Sequence, residues 1–116
     1  MSIIKIYGIR NCDTVKKALK YLINKDIPHQ YIDLRIDSIS ENEFKTMLDV
    51  IGLEVLINKR STTFRSLTEY EKNNINYELV LKFPTLIKRP VLVQDKRIMV
   101  GFNAVSYTHL TLPTKA

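Results

Sequence analysis

Cysteine is nearly absent from this 116-residue chain: Cys12 stands alone, so no internal disulfide can tie the fold together and packing must do so. Cys12 cannot belong to a CxxC redox pair either, because Val15 occupies the second position. The only histidines, His29 and His109, lie far apart, and nothing resembles a zinc constellation, so no metal site is expected. No apolar run approaches the roughly 20 residues needed to cross a bilayer. The N-terminus also lacks a signal peptide's apolar core and cleavage site, which makes a cytoplasmic address the expectation and a membrane partner an unexpected one. The net charge is +6, yet the 18 basic residues form no block of five or six. Most of them read as a solvated face. No helix carries a concentrated basic stripe beyond Lys16, Lys17 and Lys20, so direct nucleic-acid binding is not expected.

What is present is an ordinary globular composition, 45% hydrophobic and 26% charged, in a chain of one-domain length. "IIKIY" (Ile3 to Tyr7), rich in β-branched residues and ended by Gly8, predicts a buried strand. From Asp13 to about Asn24, Val15, Ala18, Leu19, Leu22 and Ile23 recur at helical spacing and predict an amphipathic helix. "HQYIDL" (His29 to Leu34) reads as a second strand. Ser40 with Glu43 is a capping box opening a helix over Phe44, Met47, Leu48 and Ile51, which Gly52 ends. "LEVLIN" predicts a short helix leading into a polar loop, "KRSTTFR". Ser66 with Glu69 repeats the capping pattern and predicts a helix from about Leu67, and "NYELVLKF" predicts another, punctuated by Pro84. "PVLVQDKRIMVGF" reads as a hairpin turning around Asp95 and Lys96. A β-α-β start implies parallel strands with a right-handed crossover. The expected fold class is therefore α/β: a small mixed β-sheet flanked by helices, with a helical insertion, in the thioredoxin-like arrangement. The domain is expected over 1–105. "SYTHLTLPTKA" has no helical periodicity and reads as a flexible or non-native tail over 106–116.

Cys12 sits between strand, Gly-containing loop and helix, with Arg10 two residues before it. An ordinary thiol titrates near pH 8.5. A helix N-terminus presents unpaired N–H groups and a partial positive charge, which favour an anion. Thiols at helix N-termini or beside Arg or Lys fall to about 3.5–7.5. A lone cysteine is more often a small buried hydrophobe, but Asn11 and Asp13 are polar rather than core-like neighbours. A second signal is "KRPVLV": Arg89-Pro90 precedes a strand, where a thioredoxin-like fold sets a cis-proline loop facing the cysteine. Arg89 there would bring a permanent fork of donors to a thiolate, carboxylate or oxyanion; the alternative is a strand-initiating proline beside a surface arginine. A third is "NKRSTTFR", where Arg60 and Arg65 sit among small hydroxylated residues that suit an anion, although loop arginines are commonly just solvated.

"IYGIRNCDTVKKALKYL", "INKRSTTFR", "LIKRPVL" and "MVGF", in that order over about residues 3 to 103, resemble the ArsC/Spx family of thioredoxin-fold proteins, closest to its YffB-like branch. The resemblance implies Cys12 as the nucleophile with Arg60 and Arg89 as catalytic partners, and Asn11, Asp13, Thr14 and Pro90 as substrate-binding residues. The third arginine of the family's arsenate reductases should follow the last hairpin strand, where this chain has "MVGF" instead. The family's Spx regulators bind the RNA polymerase alpha subunit, and many carry a CxxC switch that Val15 removes here. The YffB-like branch implies a glutathione-dependent monothiol reductase acting by thiol–disulfide exchange. That reading expects no bound cofactor, glutathione as co-substrate, glutathione or a thiol substrate as partner, and glutaredoxin as a further one. The alternatives are an arsenate reductase coupled to glutathione or glutaredoxin, and a regulator binding RNA polymerase. An arginine from elsewhere, such as Arg65 or Arg97, could complete an oxyanion site.

Overall fold

The computed structural model describes residues 3–10, 12–95 and 97–102. The alternating pattern of the first strand organises it. In β1 (Ile4–Gly8), Ile4 and Ile6 point to one face of the sheet and Tyr7 to the other, while Lys5 is exposed. β2 (His29–Asp33) pairs with it in parallel, Ile4 opposite His29 and Gly8 opposite Asp33. β3 (Val91–Gln94) runs antiparallel on the other side, and β4 (Arg97–Val100) closes the order β2-β1-β3-β4. The thioredoxin-like architecture expected from the sequence is what forms.

Helix α1 (Asp13–Asn24) lays Ala18 and Leu22 on Ile4, Ile6 and Leu92. Its approach to β1 requires glycine at position 8, where an added Cβ would lie 2.8 Å from a Val15 methyl. The other face carries the larger core, with Tyr7, Val91 and Ile98 meeting Phe44 and Met47 of α2 (Glu41–Ile51). Ser40 caps α2 through the expected box with Glu43.

Four short helices fill the insertion: α3 (Leu53–Leu56), α4 (Thr62–Ser66), α5 (Glu69–Asn73) and α6 (Tyr77–Lys82). Two differ from expectation. "KRSTTFR" is not all loop, because Ser61 caps α4 by accepting from the Phe64 N–H. The next helix starts at Glu69, not near Leu67, because Thr68 and Glu71 form the capping box instead of Ser66 and Glu69. Leu67 is extended and buried, and its anchoring separates the two helices. Pro84 opens a single 3-10 turn through Leu86. Among the described residues no helix is long and apolar enough to cross a membrane. The expected tail and the boundary at 105 lie outside the described residues.

Candidate functional site

The C-terminal end of β1 runs through buried Ile9 and exposed Arg10 to Cys12, the N-cap of α1. The Cys12 backbone is extended (φ −99°, ψ 120°), and its carbonyl accepts the Lys16 N–H at 3.0 Å, which starts the helix. The thiol makes no capping hydrogen bond and is half-buried, so the sulfur is available to a ligand.

Two other segments converge on it. The turn after β2 is tied to the end of β1 by the Leu34 N–H donating to the Gly8 carbonyl at 2.8 Å. The buried Asp33 carboxylate accepts the Arg35 N–H at 2.9 Å and holds that turn, which delivers the Arg35 side chain. The second segment is the loop before β3, where the Arg89–Pro90 bond is cis and Pro90 is buried. Arg89 Nη1 donates to the Thr85 carbonyl at 3.1 Å and lies 3.4 Å from that of Ile87, while Nε is buried with no acceptor. Thr85 is itself fixed by a 2.6 Å hydroxyl contact with Thr63 of α4.

Together Ile9, Arg10, Cys12, Arg35, Thr85 and Arg89 line a cavity of about 290 Å³. Three arginines therefore share a space with Cys12. None of the three pairs with a carboxylate, since the ion pairs among the described residues are made by Lys5, Lys45, Lys59 and Lys72. Such a space attracts an anion, and the planar forks suit a carboxylate or oxyanion. Tyr31 stands close by. Its hydroxyl is pushed above its usual range first by burial and then by Asp33, with Arg10 opposing and Cys12 adding to the rise.

The structure thus brings Cys12 and Arg89 together as expected. It also adds Arg35, which sequence reasoning missed, and gives Arg10 a place on the wall. Arg60 is exposed, its N–H donating to Asn58 Oδ1 at 3.2 Å, and it does not line the cavity. Asp13 is the exposed first residue of α1 and Thr14 the half-buried second; neither lines the cavity. Pro90 is buried and follows Arg89 in that loop, and it does not line the cavity either. Asn11 lies outside the described residues. No group of three or more His, Cys, Asp or Glu able to hold a metal occurs among the described residues.

The sequence model of the ArsC family matches residues 7–110. The chain belongs to the ArsC family. An uncharacterized protein of Haemophilus influenzae is 45% identical over 108 residues, covering 90% of this chain and 95% of that one. The global transcriptional regulator Spx of Listeria innocua is 30% identical over 105 residues, covering 86% and 80%. Among solved structures, a protein named YffB superposes with a TM-score of 0.83 at 33% identity, covering 90% and 96%. An arsenate reductase related protein from Brucella melitensis gives 0.70 at 36% identity, covering 91% and 92%. ArsC membership agrees with the family expected from the cysteine, arginine and proline segments.

Proposed function

We propose that this ArsC-family protein is a thiol-dependent oxidoreductase that works through Cys12 alone, with glutathione as its co-substrate. The observation that carries the reading is a single half-buried thiol at the start of α1, sharing a cavity with three arginines that make no ion pair among the described residues. The Cys12 thiolate attacks the glutathionyl sulfur of a mixed disulfide R–S–S–G. The Cys12–S–SG bond forms, the substrate S–S bond breaks, and R–S⁻ leaves with the electron pair and takes a proton from water. A second glutathione, as thiolate, attacks Cys12–S–SG, restores Cys12 and leaves as oxidised glutathione. Glutathione is oxidised and the mixed disulfide reduced. With Val15 at the i+3 position no resolving thiol is available from a CxxC pair, so release depends on an external thiol; glutaredoxin would serve as an alternative source. Arg10, Arg35 and Arg89 would hold the glutathione carboxylates, and a reducing compartment such as the cytoplasm would keep the lone thiol free.

The test is turnover of the mixed disulfide of glutathione and 2-mercaptoethanol, coupled to reduction of the oxidised glutathione formed. Saturable turnover that vanishes in Cys12→Ser is expected. A rate equal to the uncatalysed exchange would sink the proposal. The same cavity favours a second reading, a compact tetrahedral oxyanion such as arsenate in place of a carboxylate. Turnover of arsenate with glutathione, and none of the disulfide, would select it. If Cys12→Ser instead leaves binding to a protein partner such as RNA polymerase intact and neither substrate turns over, the regulator reading suggested by the Spx relatives takes over.

A further inference from the structure

Cys12 lines a second cavity as well, of about 240 Å³, which shares Ile9 and Arg10 with the first. Its character is different. Val15, Leu19 and Tyr31 supply its own walls, and the charged Lys16 stands beside them as an exposed residue. Val15, at the place of a second CxxC cysteine, is thus part of an apolar wall one helical turn from the thiol. Val15 is buried, and its methyls lie close over Gly8 of β1. Tyr31, a neutral side chain at ordinary pH, is a further uncharged member of the lining. The space is open to solvent on one side, and its volume has room for one aromatic ring or a branched aliphatic group laid against Val15, Leu19 and Tyr31.

The thiol therefore stands where a cationic space and an apolar space meet. The two halves of a disulfide are separated by one S–S bond. A disulfide resting at Cys12 can therefore send one substituent into each space. Building on the glutathione-dependent reading above, we propose that the preferred substrate is an unsymmetrical disulfide: a glutathionyl half held by Arg10, Arg35 and Arg89, and an apolar or aromatic thiol half received between Val15, Leu19 and Tyr31. Cys12 is then glutathionylated and the apolar thiol released. Leaving-thiol pKa alone discriminates little between two alkyl thiols, and here the unlike walls add a second basis for choice.

The experiment compares kcat/KM for two glutathione mixed disulfides, one with benzyl mercaptan and one with 2-mercaptoethanol, each divided by its uncatalysed rate with glutathione. The benzyl disulfide is expected to be favoured by about tenfold, as for a group filling an apolar pocket. In Leu19→Asn the ratio is expected to fall toward one. Because both substrates are measured in the same preparation, the ratio does not depend on how much of a variant is folded. Equal turnover of both disulfides by the wild-type protein, or a preference untouched by Leu19→Asn, would overturn the apolar subsite while leaving the glutathione reading in place. Turnover of neither would overturn both.

Discussion

Two regions of the molecule hold polar side chains against an open cavity, and they differ in whether those side chains already have partners. Away from Cys12, a space of about 320 Å³ opens between α2 and the sheet, where Tyr7 donates a hydrogen bond to Glu43. There the ionisable side chains Lys5, Tyr7 and Glu43 are partnered with one another. Glu43 also accepts the Ser40 N–H and lies 3.9 Å from Lys5. Burial alone would raise its carboxyl, but Tyr7, Ser40 and Lys5 together bring it below its ordinary value of 4.5. Burial, and then Glu43, push the Tyr7 hydroxyl far above its usual range. At Cys12 the space is smaller, yet among the described residues its three arginines make no ion pair and Arg89 Nε has no acceptor. Cavity size would select the first region, while uncommitted charge selects the second. Satisfied groups hold a fold together, and unsatisfied cations beside a nucleophile await a ligand.

The contrast can be broken in a definite order. Replacing Cys12 by Ser should reduce turnover of the mixed disulfide by at least about a thousandfold, as loss of a nucleophile does, with the circular dichroism spectrum unchanged. Arg89→Ala should follow, with kcat/KM down by about 10- to 100-fold for lost charge-assisted hydrogen bonds. Arg35→Ala should cost more than Arg60→Ala in the same assay, because Arg35 lines the cavity and Arg60 does not. A larger loss from Arg60→Ala would restore the role that resemblance gives it.

On the structural side the effects are smaller and appear in stability. Gly8→Ala forces a Cβ to 2.8 Å from Val15 and should destabilise by about 1–3 kcal/mol, read as a lower urea midpoint. Tyr7→Phe removes one part-buried hydrogen bond and should cost about 1 kcal/mol. The Glu43 carboxyl is lowered in the folded state, so its contribution is present above about pH 4.5 and lost as pH falls through the lower folded value. Glu43→Gln should flatten stability against pH in that acid window while leaving disulfide turnover at neutral pH unchanged.

How much of this was legible in the sequence follows from how local each feature is. β1, α1, β2 and the capped α2 declare themselves through period, caps and Gly52, all within a few residues. α4 escaped because five residues leave no room for a periodic pattern, although Ser61 offers the same kind of cap as Ser40. The choice between Ser66 and Thr68 as a cap rests on the burial of Leu67, which is a tertiary fact. The site divides the same way. Cys12 and Arg89 stand in recognisable local frames. Arg35 lines the cavity with Cys12 because parallel pairing of β1 with β2 and the Leu34–Gly8 bond bring its turn there. No spacing rule connects positions 12 and 35.

The most direct test of the central claim, that the arginines and Cys12 form one ligand site, is the rate of Cys12 alkylation by iodoacetamide in the presence of S-methylglutathione, which cannot itself react. Saturable protection is expected in the wild-type protein, and its loss in Arg89→Ala. An alkylation rate indifferent to S-methylglutathione, or equal protection in the variant, would contradict the claim.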